Sequence, residues 1–205
     1  MLYFNSFPKV ITTDYKNNSL LLTNIMSRVS IISSILQNPL LFYSYNIKDG
    51  DRPDIIADKY YKDVNKFWLV LYSNQIMDPE YDLPITGPKF NDYLAAKYPA
   101  IDISGTVYEY RKIITTYDPV SLTTTNRTIV VDLPTYNNIV IGTQTYNFYD
   151  TNNNVTGSVT QTISKQSVSI LQYEIEQNEA KRNINLISTS YSDQIEKELV
   201  NLMRL

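Results

Sequence analysis

The chain has 205 residues, 43% of them hydrophobic and 19% charged, with a net charge of −3. That composition supports a folded core. It excludes a disordered chain and a nucleic-acid binder held by bulk positive charge. There is no Cys and no His, which removes disulfides, thiolate zinc sites and every catalytic scheme that needs an imidazole or a thiolate.

No apolar run of about 18 residues is present, so no membrane span is expected. Met1 to Lys9 lacks the basic, apolar and small-residue order of a secretory signal. Tyr occurs 18 times against 6 Phe and 1 Trp, a bias that suits protein interfaces and strand surfaces equally.

In chain order, Tyr3, Phe4, Phe7 and Pro8, followed by Val10 and Ile11, predict an extended arm or edge strand. Leu21, Leu22, Ile25, Met26, Val29, Ile32, Ile35 and Leu36 recur at steps of three and four, which predicts a helix over 19–37 ended by Asn38-Pro39. Residues 40–48 alternate and predict a strand. Gly50 supplies a turn, and Asp51 stands where it could cap a helix over 53–61 opened by Pro53. Asp63 can cap a second helix, 64–73, with Val64, Phe67, Trp68, Leu71 and Tyr72 on one face. Asn74 then suits the left-handed position that ends a helix.

Residues 75–87 read as loop, and Pro88 opens a third helix over 88–98. Short strands are expected at 107–111, 127–133, 138–141 and 143–149, with 121–125 and 151–158 as surface loops. Asn183 to Ile187 alternates like a strand. Ser190 and Asp193 resemble a capping box for a helix over 191–204, whose Tyr191, Ile195, Leu199 and Leu202 form an apolar stripe. That stripe docks either on the chain's own core or on another subunit.

Between residues 43 and 87 the order is strand, Gly50-Asp51, helix with Ile56-Ala57, helix with Trp68 and Leu71, Asn74, loop, then Leu83-Pro84-Ile85 as a second strand. This order resembles a LysM module. Arg52-Pro53, Phe67-Trp68, Asp78-Pro79 and Tyr81-Asp82 depart from secreted LysM modules. They resemble the LysM-like wedge family of contractile-tailed phage baseplates. Phe7-Pro8 with 24–29, and Asn178-Glu179, Arg182, Ile184, Leu186 and Ile187, resemble that family's opening and closing segments.

The resemblance implies an α+β fold. Its parts are an N-terminal arm and helix (1–39), a LysM-like βααβ core with a following helix (40–100), a β-rich insert (101–167) and a C-terminal strand plus helix (168–205). It further implies a structural subunit in many copies per tail, joining wedge and hub proteins of the six-fold baseplate. Such a subunit belongs to the virion, and to the host cytoplasm during assembly. It has no catalytic role, cofactor, metal, nucleic-acid partner or membrane partner.

Gly50, Asp51, Ile56, Ala57, Trp68 and Asn74 are then structural motif positions. Tyr3, Phe4, Phe7, Arg52, Arg182, Tyr191 and Leu199 are the candidate interface residues, as aromatic and guanidinium anchors. Deleting residues 1–9 is expected to leave a folded chain that no longer joins its wedge.

Two other readings stay open. A LysM module can bind peptidoglycan or another carbohydrate, with Trp68 as a stacking platform. A glycoside hydrolase could be built from carboxylates such as Asp49, Asp51, Asp58, Asp63, Glu174, Glu176 and Glu179, provided one is held protonated and another ionised. Caps and solvated faces account for the same carboxylates. The Asp49-Gly50-Asp51 spacing does not match a calcium loop.

Overall fold

The computed structural model describes residues 3–27, 31 and 38–203, apart from the side chains of Phe4 and Ser6. The fold is α+β, and the chain divides into two compact units. The first joins the residues up to Asp92 to those from Asn178 onward, and the second is Tyr93–Gln177. The divisions therefore fall at 92/93 and 177/178, whereas the sequence reading divides the chain at 39/40, 100/101 and 167/168. The two ends of the chain share one core because their strands pair with each other.

In the first unit, β3 (Phe42–Asn46) pairs antiparallel with β8 (Asn183–Ile187), Phe42 opposite Ile187 and Asn46 opposite Asn183. Between them in sequence come α1 (Pro53–Tyr61) and α2 (Phe67–Ser73), the latter entered through a 3-10 turn at Val64–Lys66. Pro53 at the first helical position suits α1. Lys62 ends it in the left-handed region, with φ 59° and its N–H on the Asp58 carbonyl. Asp63 then caps the next turn through the Asn65 N–H, as its position predicts.

The helices bury Ile56, Ala57, Tyr61, Trp68, Leu69 and Val70 against Ile184, Leu186 and Ile187. Fully burying each large aliphatic side chain stabilises by about 1.5–3 kcal/mol. Two hydroxyls tie the helices to the strand: Tyr61 donates to the Ile187 carbonyl (3.0 Å) and Ser73 to the Asn185 carbonyl (2.8 Å). The last helix, α6 (Thr189–Met203), buries Ser192, Leu199 and Met203, while Ile195 packs against the same core. Lys66 holds its first turn through Asp193 at 2.6 Å.

The first unit departs from several expectations. Residues 83–85 do not form the strand that pairs with β3; β8 takes that place, and no residue of 75–87 is in a strand. Of the predicted 19–37 helix, Ser19–Thr23 is instead β2, paired with β1 (Lys9–Thr13) as a hairpin, and residues 24–27 and 31 are in neither helix nor strand. Asp14 organises that turn by accepting from Lys16 N (2.7 Å) and Asn18 N (2.9 Å), with Asn17 left-handed at φ 64°. Turn chemistry overrides the three-and-four spacing, which a Leu run satisfies as readily as it satisfies a strand. Residues 28–30 and 32–37 of that prediction lie outside the described residues. Finally, Ser190 does not precede the last helix; it lies inside α6.

The second unit centres on a four-stranded antiparallel sheet of order β5-β4-β7-β6. Its strands are β4 (Val107–Asp118), β5 (Thr123–Val131), β6 (Gly142–Tyr149) and β7 (Val155–Ser169). β4 runs past the expected 107–111, β5 begins inside the expected 121–125 loop, and β7, where no strand is expected, begins inside the expected 151–158 loop. Residues 133–137 form the short helix α4 (Leu133–Asn137), capped by Asp132 on Thr135 N. The strand expected at 138–141 is absent because Asn138 closes that helix. Two further helices are α3 (Pro88–Lys97), which is predicted, and α5 (Ile170–Ala180), which is not. Within this unit Glu174 is buried and accepts from Lys97 (2.9 Å) and Tyr98 (2.7 Å).

Candidate functional site

The segment from Tyr45 to Asn74 carries most of the sequence motif. Gly50 sits at φ 86°, a backbone conformation that side chains other than glycine resist. Next to it, Asp51 does not cap α1; Arg52 is the N-cap residue and makes no side-chain cap bond. Instead the nearly buried Asp51 carboxylate joins three pieces. It accepts from Tyr45 Oη on β3 (2.7 Å), from Lys48 N in the turn (3.0 Å) and from Lys59 Nζ on α1 (2.5 Å).

Burial alone would raise the Asp51 pKa, but the bonds from Lys59, Tyr45 and Lys48 outweigh it and hold the carboxyl below its usual value. Burial, then the bond to Asp51, pushes Tyr45 up to about 12.

Asn74 is also special, for a different reason than predicted. Its φ is −109°, and the left-handed residue is Gln75 at φ 55°. The Asn74 carboxamide imitates a neighbouring strand on the open edge of β8. Its Oδ1 accepts from Asn185 N (2.7 Å), while its Nδ2 donates to Asn185 O (2.9 Å) and Val70 O (2.8 Å). Asn178 does the same for the expected strand at 83–85, accepting from Ile85 N and donating to Ile85 O, both at 2.8 Å. Side-chain amides can stand in for strand pairing because they carry the same donor and acceptor as a peptide group.

Asn74→Asp keeps the acceptor and removes the donor, so a carboxylate oxygen would face two carbonyls. We expect it to cost about 1–3 kcal/mol, at least as much as Asn74→Ala, measured by urea unfolding at pH 7.

Most of the predicted anchors are used up inside the first unit. Trp68 is 4% exposed. Tyr3 stacks on it at 5.5 Å, and Tyr72 meets it edge-on at 5.9 Å. Tyr3 also hydrogen-bonds Tyr72 through the two hydroxyls at 2.6 Å. Phe7 is a core residue, edge-on to Tyr3 at 5.0 Å. The arm expected at the N-terminus is therefore part of the core as far as Phe7, and the Phe4 side chain lies outside the described ones.

Arg182 bridges Glu179, Asp49 (2.8 Å) and the Ile47 carbonyl (3.1 Å). Leu199 is buried, as are Ile56 and Ala57. Among the described anchors only Arg52, which forks onto Asp54, and Tyr191 keep exposed side chains. The sequence gives no sign of the bonds made by Asn178, Ser73 and Tyr61, whose partners Ile85, Asn185 and Ile187 are distant in the chain and leave no local pattern.

Among the described residues every carboxylate whose pKa is shifted is shifted downward, the buried Asp51 and Glu174 included. For Glu174, burial opposes this and the bonds from Lys97 and Tyr98 prevail. A glycosidase needs one carboxyl held protonated; of the candidate carboxylates, Asp51, Asp63 and Glu174 shift the other way. Among the described residues no three acidic side chains gather as a metal site.

The uncovered apolar surface lies elsewhere in this unit. On the hairpin, Val10, Ile11, Leu20, Leu21 and Leu22 are all exposed, and Ile25 and Met26 follow them. No protein-family model matches the chain, and no curated protein matches it.

Proposed function

We propose that this chain is a structural subunit of a contractile-tail baseplate wedge, acting by shape and contact rather than by catalysis. One observation carries the reading. The three separate sequence blocks that resemble the wedge family build one core: Phe7 from the first, Trp68 from the second, and Leu186 and Ile187 from the third. A shared core is the physical reason for such blocks to occur together in one chain.

In this reading the LysM-like module is β3-α1-α2-β8, with its second strand supplied by the closing segment. The sheet-bearing unit is then an insertion between the second helix and that strand. The module is scaffold, since Gly50, Asp51, Trp68 and Asn74 serve its own turn, core and sheet edge.

Contact with other wedge and hub proteins is made by surfaces the chain leaves open, namely Ile11 and Leu21 of the hairpin, with Arg52 and Tyr191. An isolated two-stranded hairpin is marginal in water, so an apolar one is stabilised by whatever covers it.

The test is genetic. In the phage that carries it, disrupting the gene is expected to leave cells with partial baseplates and no complete contractile tails by electron microscopy. Normal, infectious virions would overturn the reading.

A further inference from the structure

In the second unit, three cations share one face of the sheet, and among the described residues no carboxylate pairs with them. Lys112 on β4 stands directly opposite Lys165 on β7. Residues so placed share a face, with Cβ atoms about 4.5–5.5 Å apart. Lys112 is also opposite Ile129 on β5, and Arg127 lies two residues from Ile129. Arg127 therefore joins the same face, on the diagonal about 7–8 Å from Lys112.

Among the described residues none of the three forms an ion pair. Arg111, on the opposite face of β4, shows the contrast: it takes both Glu109 and Glu176, at 2.5 and 2.7 Å. Lys165 turns to the Tyr136 carbonyl at 3.3 Å and lies over the Tyr136 ring at 4.9 Å. The side chains of Lys112 and Arg127 make no hydrogen bond within the described residues. Like charges directly opposite on a sheet destabilise it, so the cluster is kept at a cost to the free chain.

The surroundings narrow the ligand. Ile114 and Ile163 are opposite one another on the same face, beside Arg127, and Ile129 flanks Lys112. A polyphosphate backbone has no use for that apolar strip, and a net charge of −3 gives the chain no general attraction for it.

We propose that this face binds a segment of a partner protein that is both acidic and apolar. Its carboxylates are set against Lys112, Lys165 and Arg127, and its apolar side chains lie on Ile114 and Ile163. Charge complementarity gives the segment its register, and the apolar strip gives it area. This site stands whether or not the chain belongs to a baseplate.

The test uses the full chain and a fluorescein-labelled octapeptide repeating Glu-Ser-Ile-Ser, which sets Glu and Ile on one face when extended, followed by fluorescence anisotropy. Binding is expected to weaken with added salt. It should also fall by about two- to thirtyfold with Lys112→Gln plus Arg127→Gln, the loss expected of two exposed charge contacts. Lys112→Glu supplies a readout that a purely structural lysine would not give. It should abolish binding while raising the urea midpoint, because it turns a like-charged pair into an opposite one.

Several results would each overturn the proposal. They are no binding of the Glu-Ser-Ile-Ser peptide, equal binding of a Gln-Ser-Ile-Ser peptide, or binding unchanged by the substitutions. Stronger competition by inorganic phosphate or a single-stranded oligonucleotide would overturn it too, as would a lowered midpoint for Lys112→Glu.

Discussion

Trp68→Ala is expected to destabilise the chain by about 3–5 kcal/mol, the usual cost of emptying a large aromatic site in a packed core. Trp68 is 4% exposed and belongs to the same core as Phe7, Ile56, Leu69 and Leu186. The ring also holds Tyr3 in a stack and Tyr72 edge-on. Aromatic pairs of this kind add about 0.5–1.5 kcal/mol beyond their buried area.

Urea unfolding followed by far-ultraviolet circular dichroism gives the number. A variant that unfolds at the wild-type midpoint would show Trp68 to be dispensable for the core. It would also return the indole to the glycan-platform reading. The same geometry changes the expectation for deleting residues 1–9. That deletion removes Tyr3 and the buried Phe7, so it should lower stability rather than leave a fully stable chain that merely fails to assemble.

Asp51→Asn should cost about 1.5–3 kcal/mol at pH 7, the range for hydrogen bonds to a charged group. The carboxylate ties β3, the Gly50 turn and α1 together. An amide keeps the shape but has only one oxygen for the Tyr45, Lys48 and Lys59 donors.

The pH dependence follows from the depressed pKa. A carboxyl whose folded pKa lies below its unfolded value of 3.8 contributes stability above that value. The contribution is lost as pH falls through the folded pKa. Wild-type stability should therefore drop between about pH 4 and the lower folded pKa, and Asp51→Asn should drop less steeply, by up to one proton. Equal slopes, measured from unfolding midpoints across that range, would show that Asp51 is not held in its ionised form.

The helices were the most legible part of the fold. Pro53, Asp63 and Pro88 mark starts, and the apolar steps from Val64 to Tyr72 mark a buried face, all of which are local signals. Strand partners were not legible. Nothing near Tyr43 says that it will face Leu186 rather than a residue of 83–85. β7 was missed because Thr, Ser and Gln fill both faces of a strand that is only half-buried on either side. The two asparagine amides explain why a strand at 83–85 is unnecessary.

At the candidate site the sequence marks Gly50 as a turn residue and Asp51 and Asn74 as cap residues. Asp51 and Asn74 do other jobs, because capping is a local inference and their partners include Lys59 and Asn185. The N-terminal aromatics looked like free anchors for the same reason. Sequence shows that Tyr3 and Phe7 are apolar and leaves their partner open, and the partner is the chain's own Trp68 and core.

Quantitative mass spectrometry of purified virions tests the central reading most directly, with known baseplate and tail-tube proteins as internal counts. A wedge subunit of a six-fold baseplate is predicted at six copies, or a multiple of six, per tail. Absence from complete virions, or a copy number that is not a multiple of six, would contradict it.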